Sequence, residues 1–134
     1  MHASRELAKA RTVKSSFRPF LLALAALTMP HAAAAHAIIL ESRPAPNAMI
    51  ETSQTPLQLR FNSRIDVKRS RVTLSGPGPD SPPVPVTLEE TNQPDRMVGR
   101  LAGLKPGDYK IKWQVLAVDG HITRGEIPFR VETR

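Results

Sequence analysis

No cysteine occurs in the 134 residues of this chain. That excludes a disulfide framework, a thiolate-ligated zinc site and a cysteine nucleophile. Aromatic residues are scarce, at 4%. Beyond residue 35 they are Phe61, Tyr109, Trp113 and Phe129. These form no stacking pattern beside a basic run, so nucleic-acid binding has no support. No apolar run approaches the roughly 20 residues that span a bilayer as a helix, so stable membrane insertion is not expected. Nor does any segment beyond residue 35 keep a helical apolar period over three turns. What is present is enough apolar material, 40% of residues, for one disulfide-free core. The length suits a single domain.

The net charge of +7 is uneven. Arg5, Lys9, Arg11, Lys14 and Arg18 face Glu6 alone in the first nineteen residues. The apolar run Phe20–Leu27 comes next, then Pro30 and Ala32–Ala35. A basic start, a short apolar segment and an A-x-A site make a secretory signal peptide over residues 1–35, removed on export. Ala33 and Ala35 permit cleavage before His36, and Ala32 and Ala34 permit it one residue earlier; the local rule does not choose. Residues 36–134 keep a net charge of only +3. An exported, periplasmic protein is expected, and the lack of cysteine is compatible with that compartment.

The exported part reads as strands and turns. Leu57, Leu59 and Phe61 alternate with polar residues, as do Val72 and Leu74. Val84, Val86 and Leu88 suggest one strand, and Met97–Leu101 another. Tyr109, Ile111, Trp113, Val115 and Ala117 form the longest period-two run, and Ile127, Phe129 and Val131 close the chain. With Ala37–Leu40 this makes about seven short strands, each half-buried. Gly76-Pro77-Gly78-Pro79 and Pro106-Gly107 supply turns. The expected fold is all-β, an immunoglobulin-like Greek-key sandwich or barrel. Leu104–Tyr109 has the look of the turn leading into a tyrosine corner, and Trp113 is expected in the core.

Only His36 and His121 remain as histidines after residue 35. His121 ends Asp119-Gly120-His121, after the longest strand. In extended backbone, residues two apart point the same way, so Asp119 and His121 would present carboxylate and imidazole together. Taken alone, such a triplet is more often a surface turn. The N-terminus adds to it. If His36 is the first residue, its free α-amine and its Nδ1 can chelate one metal ion. With His121 and Asp119 the set is three nitrogens and one oxygen, which suits tetragonal Cu(II). Zn(II) would fit less tightly. Two solvated histidines far apart in space remain the alternative.

His36-Ala37, Ser42-x-Pro44-Ala45-Pro46-Asn47-Ala48 and Leu57-x-Leu59-x-Phe61 resemble the opening of the CopC copper-resistance family. Leu104-x-Pro106-Gly107-x-Tyr109-x-Ile111-x-Trp113-x-Val115-x-x-x-Asp119-Gly120-His121, followed by Gly125 and Phe129-x-Val131, is similar to that family over its last third. The resemblance spans residues 36–134. It implies a Greek-key copper-binding domain of periplasmic type, with Cu(II) ligands at His36, Asp119 and His121, and cleavage before His36. Many members carry a Met-rich segment for Cu(I). Here only Met49 and Met97 remain beyond residue 35, so no dedicated Cu(I) site is expected. Asn62-Ser63-Arg64 stands where members often have Ser-Glu-Pro, so a carboxylate near the metal in some relatives is missing.

The function expected is non-catalytic: a monomeric periplasmic Cu(II) buffer or carrier, passing copper to a partner such as an inner-membrane copper transporter. No acid/base pair, activated nucleophile or cofactor loop is visible in the sequence. A histidine-brace copper oxidase or monooxygenase is the alternative, since it also uses an N-terminal His and a second His. So small a domain offers little substrate surface for it. A metal-free structural immunoglobulin-like module is the third reading.

Overall fold

Residues 36–132 are described in a computed structural model and lie in one unit, residues 34–134. The signal-peptide reading of residues 1–35 falls outside the described residues. Among the described residues nine strands run in this order: β1 Ile39–Arg43, β2 Ala48–Ile50, β3 Gln54–Phe61, β4 Arg71–Ser75, β5 Val84–Pro85, β6 Leu88–Glu89, β7 Arg96–Ala102, β8 Gly107–Leu116 and β9 Ile122–Val131. One 3-10 turn, Val67–Arg69, joins β3 to β4. Asp66 caps it, its carboxylate accepting from the Arg69 N–H at 3.2 Å.

The strands form two sheets. One is ordered β1-β3-β7-β6 and the other β2-β9-β8-β4-β5. Period-two alternation decides which side chains meet between them. Leu57, Leu59 and Phe61 from β3, Met97 and Leu101 from β7, and Tyr109, Ile111, Trp113 and Val115 from β8 share one buried cluster. The all-β sandwich expected from the sequence is thus the fold observed. The tyrosine corner is present too: the Lys105 N–H donates to the Tyr109 hydroxyl at 2.9 Å.

The strand count differs from the expected seven. β2 is too short to show a period, and it runs parallel to β9 with Ala48 opposite Phe129. The stretch Val84–Leu88 is not one strand. Val84 pairs with Leu74 of β4, whereas Leu88 pairs with Gly99 of β7 in the other sheet. Pro85 has no N–H to give a second neighbour, so β5 occupies a sheet edge. The chain then crosses between the sheets.

One contact between the sheets bears directly on the site. The rings of Phe61, at the end of β3, and Trp113, on β8, meet edge to face with centroids 5.3 Å apart. Such a pair is worth about 1 kcal/mol beyond its buried area. Trp113 needs room for this, and Gly125, its cross-strand partner on β9, provides it. A Cβ at Gly125 would stand 2.4 Å from Trp113 Cζ2. Gly125→Ala is therefore expected to destabilise the domain by about 1–3 kcal/mol through overpacking. Chemical denaturation followed by fluorescence of the single tryptophan measures this. An unchanged midpoint would mean that the indole can move aside.

Candidate metal centre

β8 and β9 form the longest hairpin, in register from Gly107–Val131 to Leu116–Ile122. Asp119-Gly120-His121 is the tip of that hairpin and not extended strand. The Gly120 N–H donates to Ala117 O at 2.9 Å, and the Ala117 N–H donates to His121 O at 2.9 Å. Gly120 takes φ 89°, a conformation that side-chain residues rarely adopt. Asp119 and His121 still meet, but by turn chemistry instead of strand alternation. Asp119 Oδ1 accepts from the His121 backbone N–H at 3.0 Å. Its Oδ2 lies 3.1 Å from His121 Nδ1. The contact engages Nδ1 of a half-exposed ring, so Nε2 is the nitrogen not engaged by Asp119.

His36 reaches the same place from the other sheet. Ala37 is completely buried and anchors the segment. The Ile38 N–H donates to Asn62 Oδ1 at 2.7 Å, and the Asn62 N–H donates back to Ile38 O at 2.9 Å. From Ile39 onward the ladder with β3 begins, opposite Phe61. The outcome is that the His36 and His121 rings lie edge to face, with centroids 5.6 Å apart. The two histidines left after residue 35 are therefore neighbours.

The segment after Phe61 ties both halves together. Beyond the Asn62 pair, the Val118 N–H donates to Arg64 O at 3.2 Å and the Asp66 N–H to Leu116 O at 2.8 Å. Ile65 forms a bridge with Ala117. Ser70 Oγ accepts from the Leu116 N–H at 3.1 Å and donates to Asp66 O at 2.6 Å. In the sequence, Asn62-Ser63-Arg64 is notable only for the carboxylate it lacks. No local signal marks Asn62, whose side chain accepts from a residue 24 positions earlier.

Among the described residues no three His, Asp or Glu side chains already converge as a metal cage. The two rings meet edge to face, and both Asp119 oxygens are turned to His121. The Asp119 carboxyl is held below its ordinary value, first by the His121 backbone N–H. Partial burial opposes this, and the His121 ring and the charges of His121 and His36 add to it. A lowered carboxyl value stabilises the folded hairpin above the unfolded-state value, and that contribution disappears as pH falls through the folded one. Surface grooves of about 450 and 640 Å³ lie elsewhere, along β4, β8 and β9 and beside Tyr109 and Pro79. Neither is lined by His36, Asp119 or His121.

Residues 39–132 match the CopC domain model. Protein YobA of Escherichia coli (strain K12) is 31% identical over 99 residues, covering 73% of this chain and 80% of that protein. The crystal structure of CopC from Methylosinus trichosporium OB3b superposes with a TM-score of 0.64 at 24% identity, covering 74% of this chain and 96% of that one, a likeness of fold. PcoC, a methionine-rich copper resistance protein from Escherichia coli, superposes with a TM-score of 0.58 at 28% identity, covering 73% of this chain and 100% of that one.

The hairpin geometry makes a specific expectation for the metal-free protein. In a carboxyl-detected NMR titration, Asp119 should titrate below the ordinary 3.8. His121→Ala keeps the backbone donor, so the midpoint should rise only part of the way back. A full return to the ordinary value would show that the imidazole, and not the backbone N–H, controls the carboxylate.

Proposed function

We propose a function from one premise: the chain belongs to the CopC family. The family implies copper binding. Our reading is a periplasmic protein that holds one Cu(II) per chain and buffers or carries it without catalysis. It acts as a monomer and exchanges copper with a partner such as an inner-membrane copper transporter. The observation that carries this reading is the meeting of His36 and His121, 5.6 Å apart between ring centroids, beside Asp119.

The donor chemistry favours Cu(II). In the full-length chain the His36 nitrogen is a peptide nitrogen. Removal of residues 1–35 turns it into an amine, which closes a chelate ring with Nδ1 of the same residue. Nε2 of His121 is the third nitrogen. Asp119 supplies an oxygen by exchanging its contact with His121 Nδ1 for the metal. Three nitrogens and an oxygen suit Cu(II), whereas Cu(I) prefers thioethers. Met97 is fully buried, and Met49 is exposed on β2. The small domain, with four aromatic residues beyond residue 35, offers little substrate surface, which favours a carrier over an oxidase.

The test is titration of the processed protein with Cu(II), together with electron paramagnetic resonance. Intact mass first establishes that the exported chain starts at His36. One Cu(II) should bind per chain. His121→Ala should weaken binding most among side-chain changes, because it removes a nitrogen without replacement. Asp119→Ala should weaken it less, since water replaces an oxygen ligand. An added Met before His36 should weaken it strongly while the fold persists. An unchanged spectrum in His121→Ala would refute the assignment.

Protons compete with copper for the same nitrogens. Apparent Cu(II) affinity is therefore expected to fall steadily from about pH 7.5 to about pH 5, where free amine and imidazole nitrogens take up protons. Copper stabilises the fold by binding only the folded site, so the copper-induced rise in melting temperature should shrink along the same course. A constant rise, at subsaturating copper, would mean that other atoms bind the metal.

A further inference from the structure

We infer that Asn62 is a positioning residue for copper, holding the N-terminal nitrogen pair of His36 at the hairpin tip. The inference rests on the Cu(II) reading above and deepens it. Chain ends are poorly ordered unless tied down. In the processed protein, His36 would be the end itself, and two of its proposed donor atoms would sit on that one residue. Its anchors are Ala37, whose small side chain is buried, and the exchange of hydrogen bonds between Ile38 and Asn62. The Ile38 N–H donates to Asn62 Oδ1 at 2.7 Å, and the Asn62 N–H donates to Ile38 O at 2.9 Å.

The first of these bonds depends on the Asn62 side chain. An aliphatic residue at position 62 could make only the second. The register of β1 also makes this bond necessary. Ile39 is opposite Phe61, but Glu41 is opposite Arg60, so a bulge at Leu40 interrupts the ladder directly after the anchor. Regular sheet pairing therefore holds only Ile39 beside the terminus. Asn62 in turn is fixed to the other half of the site, because Arg64 and Asp66 bond to Val118 and Leu116 at the end of β8. One short segment thus sets both the position of His36 and that of the Asp119–His121 hairpin. The side chain of Asn62 is itself exposed, so its removal leaves the core intact.

Three measurements on the processed protein test this. In the metal-free state, the Ile38 amide should exchange slowly with solvent in wild type and in Asn62→Asp, which keeps the acceptor, and quickly in Asn62→Ala. Asn62→Ala should bind Cu(II) about three- to tenfold more weakly, the effect of losing one hydrogen bond. Its paramagnetic resonance spectrum should divide into two species, as the amine end detaches from part of the population. Asn62→Asp should restore a single species. If wild type fails to bind one Cu(II), the functional reading falls and this inference with it. If wild type binds as proposed and Asn62→Ala matches it in affinity and spectrum, the positioning role alone is overturned. Fast Ile38 exchange in wild type would also overturn it.

Discussion

The edge-to-face contact of Phe61 and Trp113 holds the two sheets at the end where the histidines meet. Phe61 is the last residue of β3, and Trp113 lies on β8. Because the rings fix that distance, the segment Asn62–Asp66 is delivered from the end of β3 over the end of β8. Its backbone then has to satisfy its own donors and acceptors, and it does so against Ile38 on one side and Leu116 and Val118 on the other. The packing of two aromatic rings is thereby converted into the placement of two polar loops. Gly125 is part of the same device, since the indole occupies the volume that a side chain there would need.

Much of this was legible in the sequence, for a physical reason. Period-two burial is enforced by the pleat itself, so Leu57, Leu59 and Phe61 and the run Tyr109–Val115 declared their inward faces without any knowledge of partners. Tyr109 and Lys105 likewise form a local unit, only four residues apart. The short edges were not legible. Val84 and Leu88 share a face pattern, yet they pair in different sheets, and only the tertiary neighbours of Pro85 decide where the crossing falls. β2 carries no pattern at all in three residues, because its existence depends on the neighbouring edge of β9.

The sequence named three residues that the structure brings together, and not the geometry by which they meet. Asp119 and His121 were paired on the premise of extended backbone, and the structure pairs them through a turn. The distinction has chemical weight. In a strand the two side chains would stand apart, ready for a shared ligand. In the turn, Asp119 spends both oxygens on His121, one on its backbone N–H and one on Nδ1. In the metal-free protein this contact orients the ring, and the proposed copper ligation would exchange it for a bond from Asp119 to the metal. The place of Asn62 depends on a bond to Ile38, 24 residues earlier, which no local spacing encodes.

The proposed donors sit before the first strand, where the proposed processing would create a chain end, and on a hairpin tip. This arrangement has a cost and a use. Ordering a terminus and freeing Asp119 both subtract from the free energy that copper binding releases, so affinity depends on how much of the ordering is done in advance. The Ala37 anchor and the Ile38–Asn62 exchange do part of it. The approach to these residues is open, because His36 lies on the surface and His121 is half exposed. A buried cage would hold copper more firmly and release it only when the protein opens. An open site at a clamped chain end can give up one ligand at a time, and an incoming partner's donors can take each vacated position. Ligand-by-ligand exchange of this kind is the chemistry that the proposed carrier role would draw on.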